Sequence, residues 1–193
     1  MLVHFLKDPR TIGTVAPSSP FLAKAMAAQL TPFPTIVEIG AGTGAITRHL
    51  QKYPNATLLI FEFHSHLLAQ LKQKINHPNA LFFHGPVHLH RNTLMQFSHS
   101  PMAIVSCLPF KSLPSPIASQ TEQLYLDLLA ANPSSFVRQF SYTTLRKYAP
   151  PTRHLPWIQK STIYANVPPA TLWETHTPLN NPTPPATLYT DNT

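Results

Sequence analysis

The sequence predicts an α/β protein, a single domain built on a doubly wound, mostly parallel sheet of seven strands. Short apolar segments alternate with segments of helical spacing, which is typical of parallel strands joined by crossover helices. The chain has 193 residues, of which 43% are hydrophobic, enough for one packed core. A glycine-rich turn follows the first predicted strand, as it does in many doubly wound sheets.

The elements follow in order from turn and periodicity signals. The first helix is predicted to begin at Ser19 and Pro20, because serine is a good N-cap and proline fits the first helical position. It should run to Leu30 and end at the Pro-rich residues 31–34. Strands are predicted at residues 35–39, 56–61, 80–84, 102–108 and 135–143, with helices at 45–52, 67–75 and 117–131. Residues 161–167 and 171–175 are predicted to pair as a closing hairpin.

Charge and cysteine content exclude several classes of protein. Lys and Arg number 14 against 7 Asp and Glu, a net charge of +7, so the surface should attract phosphate on nucleic acid or anionic lipid. A single cysteine, Cys107, excludes an internal disulfide framework and fits a reducing compartment. No apolar run has the length of about 18 residues that a transmembrane helix needs, and the first ten residues lack a secretory signal pattern.

The glycine turn and two acidic residues point to one kind of ligand. Val37-Glu-Ile-Gly-Ala-Gly-Thr-Gly44 lets the backbone turn tightly and lets a ligand approach it closely. Glu62 ends the next predicted strand, where a carboxylate can accept both hydroxyls of a ribose. Glu38 stands beside the turn and would repel a pyrophosphate, whereas it suits a cationic ligand. The sequence therefore predicts S-adenosyl-L-methionine as cofactor.

Short motifs in order along residues 5–173 carry a resemblance to a known family. They are Phe5-Leu-Lys-Asp-Pro9, Gly13-Thr-Val-Ala-Pro-Ser-Ser19, Val37 to Gly44, Ser106-Cys-Leu-Pro109, Gln139-Phe-Ser-Tyr142 and Asn166-Val-Pro-Pro-Ala170. The chain resembles class I S-adenosylmethionine-dependent methyltransferases, and within them the bacterial phospholipid N-methyltransferases, which are related to the ribosomal RNA adenine dimethylases. The resemblance implies a Rossmann-like methyltransferase fold and methylation of a phosphatidylethanolamine-like amine. It also implies a peripheral enzyme on the cytoplasmic face of the inner membrane.

The resemblance also implies roles for individual residues. Tyr142 would face the substrate amine and Ser106 would lie beside the methyl group, so these two are the predicted catalytic residues. The cofactor would be held by Pro17, Ser18, Glu38, Gly40, Ala41, Gly42, Thr43, Gly44, Glu62, Phe63, Val87, Ser106, Cys107, Leu108 and Pro109. The family usually has Gly-Asp-Ala after the third strand, where its aspartate contacts the adenine amino group. Here the residues are Gly85-Pro-Val87, so this contact is absent or replaced by water.

Three segments are predicted. Residues 1–19 would form a membrane-docking or lid segment, 20–176 the methyltransferase domain, and 177–193 a poorly ordered tail. Residues 1–10 could insert apolar side chains into a membrane surface or simply pack on the domain, and both remain open. A basic stretch should face the substrate side and contact phosphate; it comprises Arg138, Arg146, Lys147, Arg153 and Lys160. The pairs His64/His66 and His88/His90 should each lie on one side of a strand, and no metal site is expected.

Two alternative functions also fit the sequence. An RNA adenine N-methyltransferase would suit the charge and the fold. The RNA enzymes, however, carry an Asn-Leu-Pro-aromatic motif whose asparagine orients the base, and this chain has Cys107-Leu-Pro-Phe110 at that place. The sequence is also expected to leave no room for a helical RNA-binding domain after the catalytic fold. The other alternative is a degenerate protein that binds the cofactor without turnover, which the Gly85-Pro-Val87 departure would suit. In the favoured function, methyl transfer is a direct displacement by a neutral amine that loses its proton to water.

Overall fold

A computed structural model describes residues 19–142 and 149–177 of the chain, and within them a seven-stranded sheet forms the centre. The strand order is β3-β2-β1-β4-β5-β7-β6. The strands are β1 Thr35–Ile39, β2 Thr57–Glu62, β3 Ala80–His84, β4 Met102–Ser106, β5 Phe136–Tyr142, β6 Ile158–Ile163 and β7 Ala170–Thr175. β1 to β5 are parallel, and β7 pairs antiparallel with both β5 and β6. The doubly wound, mostly parallel seven-stranded sheet is confirmed.

Helices cover both faces of the sheet. They are α1 Pro20–Met26, α2 Thr47–Leu50, α3 Ser65–Lys74, a 3-10 helix Val87–His90, α4 Arg91–Met95 and α5 Ser115–Ala131. Ser19 caps α1 as predicted, since its Oγ accepts the Leu22 N–H at 3.2 Å. α1 ends before the predicted Leu30 because Gln29 takes a left-handed backbone conformation, with φ at 61°. Of the described helices, none is long and apolar enough to cross a membrane.

The core consists of two layers, one on each face of the sheet. Alternate residues of the central strands point to opposite faces. Ile36 of β1 packs with Leu22 of α1 and Leu71 of α3, and Val37 packs on the other face with Leu128 of α5. All five residues of β1 and of β4 are buried, as expected for parallel strands covered on both sides.

Residues 87–95 differ from the sequence expectation. They form the 3-10 helix and α4, where no element was predicted, because two such short helical turns show no apolar periodicity. His88 and His90 therefore lie on a helical turn and not on a strand, and His64 and His66 lie at the start of α3. The prediction that each pair shares one side of a strand is wrong. Within the described ranges, no group of three His, Cys, Asp or Glu side chains could hold a metal ion.

Arg138 forms a buried ion pair and not part of a basic surface. It is 6% exposed, and its Nε and Nη2 donate to Glu174 Oε1 at 2.8 and 2.6 Å. Its Nη1 donates to the carbonyl oxygens of Met26 and Ala28 at 2.9 and 2.7 Å. The expected phosphate contact of Arg138 is therefore wrong, because β7 places Glu174 directly opposite it. Arg153 and Lys160 are exposed, whereas Arg146 and Lys147 lie outside the described residues.

Candidate functional site

A cavity of about 340 Å³ opens at the carboxyl ends of β1, β2 and β4. The chain winds from β1 through β2 to β3 in one direction and continues from β4 to β5 in the other, so β1 and β4 border the point where open α/β sheets bind ligands. Its volume is in the range of small-molecule sites. The predicted residues on its wall are Gly40, Ala41, Gly42, Thr43, Glu62, Phe63, Val87, Cys107, Leu108 and Pro109.

The turn after β1 has the backbone shape that only glycine adopts easily. Gly42 and Gly44 have φ angles of 56° and 82°. A Cβ on Gly42 would meet no atom within 4 Å, so the loop presents bare backbone to the cavity there. A Cβ on Gly44 would lie 2.7 Å from Leu71 Cδ2. Gly44 is thus needed for the packing of α3, and it does not line the cavity.

Glu62 joins the glycine turn to the end of β2. Its Oε2 accepts the Gly42 N–H at 2.7 Å, and its Oε1 accepts the His64 N–H at 2.8 Å. The His64 Nδ1 lies 3.0 Å from the same Oε1. The carboxylate is 4% exposed and lies on the cavity wall. Because a carboxylate has about four acceptor positions, Glu62 can hold the turn and still accept a ligand hydroxyl.

Glu38 is a fully buried carboxylate beside Thr47. It is 0% exposed, and neither of its oxygens has a hydrogen-bond partner of good geometry, although Thr47 lies close enough to lower its pKa. Burial raises the pKa of Glu38 to about 7, the neighbouring Thr47 lowers it in part, and the charge of Glu62 raises it further. Glu38 lies behind the glycine turn and not on the cavity wall. A fully buried carboxylate behind bare backbone fits a cationic cofactor such as S-adenosylmethionine.

We expect Glu38 to make the stability of the cofactor-free protein depend on pH. Because its pKa is raised from 4.5 to about 7 in the folded protein, the folded state keeps a proton that the unfolded state releases. The free energy of unfolding should therefore fall as pH rises from about 4.5 to 7, by up to about 3 kcal/mol. Urea denaturation at pH 5 and pH 8 measures this fall. Glu38→Gln should remove it, and an equal fall in both proteins would contradict the assignment.

The loop after β4 is held from beneath by two buried polar side chains. Gln139 Nε2 donates to the Leu108 carbonyl oxygen at 2.7 Å, and Ser106 Oγ accepts the Tyr125 hydroxyl at 2.8 Å. Ser106 is fully buried and does not reach the cavity wall, so it supports the loop and does not contact a ligand in this arrangement. No role is predicted for Gln139 from the sequence. Its place opposite Ser106 follows from the register of the two adjacent parallel strands β4 and β5.

The side of the cavity next to β5 is apolar. Phe140 lines the cavity, and the ring of Tyr142 packs edge-on against it at 5.3 Å between centroids. Tyr142 itself is half-buried at the end of β5 and does not line the cavity, so the structure does not bring this predicted catalytic residue to the cavity wall; burial raises its pKa. Burial also raises the pKa of the Cys107 thiol well above its ordinary value. Both groups therefore stay neutral at physiological pH. The remaining residues predicted here, Pro17 and Ser18, lie outside the described residues, as do residues 1–10.

Sequence reasoning missed part of the wall. Leu113, Ile117 and Thr121 line the cavity from the loop before α5 and its first turns. Their spacing of four residues is a helical signal that could have been noticed. His64 and His88 also line the cavity. The sequence predicts both on strands, whereas they lie at the start of α3 and on the 3-10 helix, and only this placement brings them to the cavity.

Comparison with known proteins gives a family and a fold. A family model for ribosomal RNA adenine dimethylase matches residues 4–167, whereas no curated protein sequence matches the chain. The glycopeptide N-methyltransferase MtfA complexed with S-adenosyl-L-homocysteine is similar at a TM-score of 0.55 and 12% identity, over 85% of this chain and 89% of that one. A putative methyltransferase from Escherichia coli is similar at a TM-score of 0.51 and 14% identity, and the alignment covers 87% of this chain and 84% of that one.

Human N-acetylserotonin methyltransferase in complex with S-adenosylmethionine is also similar, at a TM-score of 0.51 and 10% identity. The alignment covers 83% of this chain and 52% of the human one, so the chain spans about half the length of that relative. At such identities the structural likeness shows the fold alone.

Proposed function

Since the chain belongs to the ribosomal RNA adenine dimethylase family of S-adenosylmethionine-dependent methyltransferases, we propose that it methylates the amine of a phospholipid headgroup, such as phosphatidylethanolamine. The reaction would take place at a membrane surface, on its cytoplasmic face. The family model covers most of the chain and carries the enzyme class and the cofactor. The choice of a lipid amine depends on the surface around the cavity.

An exposed apolar ledge carries this proposal. It consists of Phe21, Tyr164 and Val167, which are 61%, 74% and 86% exposed. Asn166 joins the two segments, since its buried Oδ1 accepts the Ser19 N–H at 3.1 Å. The ledge lies at the active edge of the sheet, because Ala170, where β7 begins, pairs with Tyr142. Large apolar side chains exposed together mark a protein or membrane interaction site.

The charge of the described surface favours an anionic membrane over a protein partner. Four of the carboxylates in the described ranges are buried, namely Glu38, Glu62, Glu122 and Glu174. The other, Asp127, is paired with Arg91 at 2.8 Å. Lys24 is exposed one turn along α1 from Phe21, so a cation stands beside the ledge. Anionic lipid heads attract such a surface, and apolar side chains then insert.

The loop after β4 supports an alkyl amine over an RNA base. An enzyme that acts on a flipped base reads its edge with hydrogen bonds. Here the loop presents Cys107, Leu108 and Pro109 to the cavity, and the polar side chains of Ser106 and Gln139 are turned beneath it. RNA adenine remains the second candidate, because the matching family model is that of the RNA enzymes.

The main role of the residues around the cavity would be to align the amine with the methyl group and to exclude water, and not to transfer protons. S-adenosylmethionine supplies a methyl group bonded to a sulfonium, a leaving group that needs no acid catalyst. The attacking amine must be neutral, and the apolar wall around Phe140 favours that form by excluding water. Tyr142 stays protonated and does not line the cavity, so its part would be to hold the Phe140 ring, against which it packs at 5.3 Å, in place beside the amine. The headgroup ammonium would lose its proton to water before the apolar wall encloses it, and the neutral nitrogen would then accept the methyl group and carry the positive charge.

The test compares lipid and RNA as acceptors. Vesicles of phosphatidylethanolamine and phosphatidylglycerol, or ribosomal RNA, are incubated with the chain and radiolabelled cofactor. We expect label in the lipid fraction and none in RNA. Label in RNA alone would contradict the lipid function and support the second candidate, methylation of RNA adenine.

The ledge gives the sharper test of the same proposal. The double variant Tyr164→Ser, Val167→Ser should lower transfer to vesicle lipid about tenfold or more, because each apolar side chain contributes to insertion. Transfer to a dispersed short-chain phosphatidylethanolamine should remain unchanged. Ile158→Ser is the matched control, since Ile158 is 58% exposed at the far end of the same hairpin. Equal loss on vesicles and dispersed lipid would contradict a docking role.

A further inference from the structure

Gln139 joins two walls of the cavity through its side-chain amide. It lies in β5 and is 2% exposed. Its Nε2 donates to the Leu108 carbonyl oxygen at 2.7 Å and to the Phe140 carbonyl oxygen at 3.2 Å. Leu108 and Phe140 both line the cavity, one on the loop after β4 and the other on β5. One amide group therefore holds these two wall segments together.

The loop that Gln139 holds lies against the glycine turn. A Cβ placed on Gly40 would lie 3.4 Å from Leu108 Cδ2 and 3.8 Å from Cys107 Cβ. The Cys107 N–H donates to the carbonyl oxygen of Ile39, the last residue of β1, at 2.8 Å. Because the loop is packed this closely, a displacement of Leu108 would change the space between the turn and β5.

The other hydrogen bonds of Leu108 do not replace the one from Gln139. Its carbonyl oxygen also accepts the Phe110 N–H at 2.9 Å, a bond within the loop that would move with it. Its N–H lies 3.5 Å from Ser106 Oγ, at the limit of hydrogen-bond distance. Within the part of the chain that the structure describes, the Gln139 amide is thus the one short hydrogen bond from Leu108 to the sheet.

The Gln139 amide is present although half of it has no partner. Its Oε1 is buried and accepts no hydrogen bond, a state that lowers stability. A methionine has nearly the same length and no buried acceptor to leave unmet, but it could not donate to Leu108. The donor is therefore the feature of Gln139 that packing alone does not explain.

We propose that Gln139 is a positioning residue for methyl transfer, which holds the loop after β4 where the acceptor and the methyl group are in line. Direct displacement requires this alignment, so a small shift of one wall lowers the rate. Gln139 does not line the cavity, so it would act through Leu108 and touch neither cofactor nor acceptor. The inference rests on methyl transfer from S-adenosylmethionine, and it holds for a lipid or an RNA acceptor.

Two variants of similar length separate donation from packing. The assay measures kcat at saturating cofactor with short-chain phosphatidylethanolamine or, if that takes no label, with ribosomal RNA. Gln139→Met has no donor, so its kcat should be about tenfold below wild type at both pH 6 and pH 9. Gln139→Glu can donate only while its carboxyl group is neutral, and burial raises a carboxyl pKa, as it does for Glu38. Its kcat should therefore be close to wild type at pH 6 and fall about tenfold below it by pH 9.

Calorimetry with S-adenosylhomocysteine gives a readout without turnover, which decides the question even if neither acceptor takes label. Because Leu108 lines the cavity, Gln139→Met should weaken binding about threefold at both pH values, and Gln139→Glu only at pH 9. Gln123→Met is the matched control, since Gln123 is exposed on α5 and donates to Asp127; it should change neither kcat nor affinity. Wild-type kcat and affinity in Gln139→Met would overturn the inference, and so would equal losses in Gln139→Met and Gln139→Glu at pH 6.

Discussion

Replacing Glu62 by alanine is expected to lower the affinity for S-adenosylmethionine about 100-fold. The carboxylate accepts the N–H groups of Gly42 and His64 at 2.7 and 2.8 Å, and hydrogen bonds to a charged group contribute roughly 1.5–3 kcal/mol each. Without them the bare backbone at Gly42 loses its fixed position, and a ligand hydroxyl loses its acceptor. Isothermal titration calorimetry measures the loss.

Two further variants separate the role of Glu62 in binding from a general loss of stability. Glu62→Gln should retain one acceptor, but its amide nitrogen would then face an N–H, so we expect an intermediate loss of about tenfold. Asp127→Asn removes a partly exposed carboxylate that does not line the cavity and should leave cofactor affinity unchanged. Wild-type affinity in Glu62→Ala would refute the predicted role of this carboxylate.

Replacing Glu174 by leucine is expected to destabilise the fold by about 3–5 kcal/mol. Glu174 neutralises the buried Arg138 guanidinium, at N–O distances of 2.6 and 2.8 Å, and its loss leaves that charge unpaired inside the sheet. Urea denaturation at neutral pH gives the free energy of unfolding directly. The carbonyl oxygens of Met26 and Ala28 would remain as partners, but they carry no full charge.

The double variant Arg138→Met, Glu174→Leu tests this explanation. Removing both charges should cost less than the sum of the two single variants, because no unpaired charge then remains. The surface pair Arg91 and Asp127 is the control, since breaking an exposed pair costs about 0–1 kcal/mol. Additive effects at Arg138 and Glu174 would mean that the pair contributes only packing.

Features of the fold and the site that depend on local sequence patterns could be predicted. Strands β1 and β3 were placed at their observed bounds, because apolar runs between turn residues are the usual signal of buried strands. The glycine turn and Glu62 were placed at the cavity because ligand sites in such sheets lie at the carboxyl ends of strands.

What escaped prediction depends on partners distant in the sequence. The sequence predicts a phosphate contact for Arg138, since nothing near it in the chain shows that Glu174 lies opposite it in the sheet. It predicts Ser106 as a ligand residue, because the hydrogen bond of Ser106 to Tyr125 arises only when α5 packs on β4. It predicts His88 on a strand, since a single 3-10 turn has no periodic signature. In each case tertiary packing, and not local propensity, decided the outcome.

The insertion of β7 between β5 and β6 has a consequence for biosynthesis. Because β7 is the last of the described strands yet the direct neighbour of β5, a nascent chain still lacking residues 170–175 has β5 as an open edge. An open apolar edge can template association with another chain. The β6–β7 hairpin must therefore emerge from the ribosome before this edge is covered, and chains arrested upstream of β7 should depend on chaperones to remain monomeric.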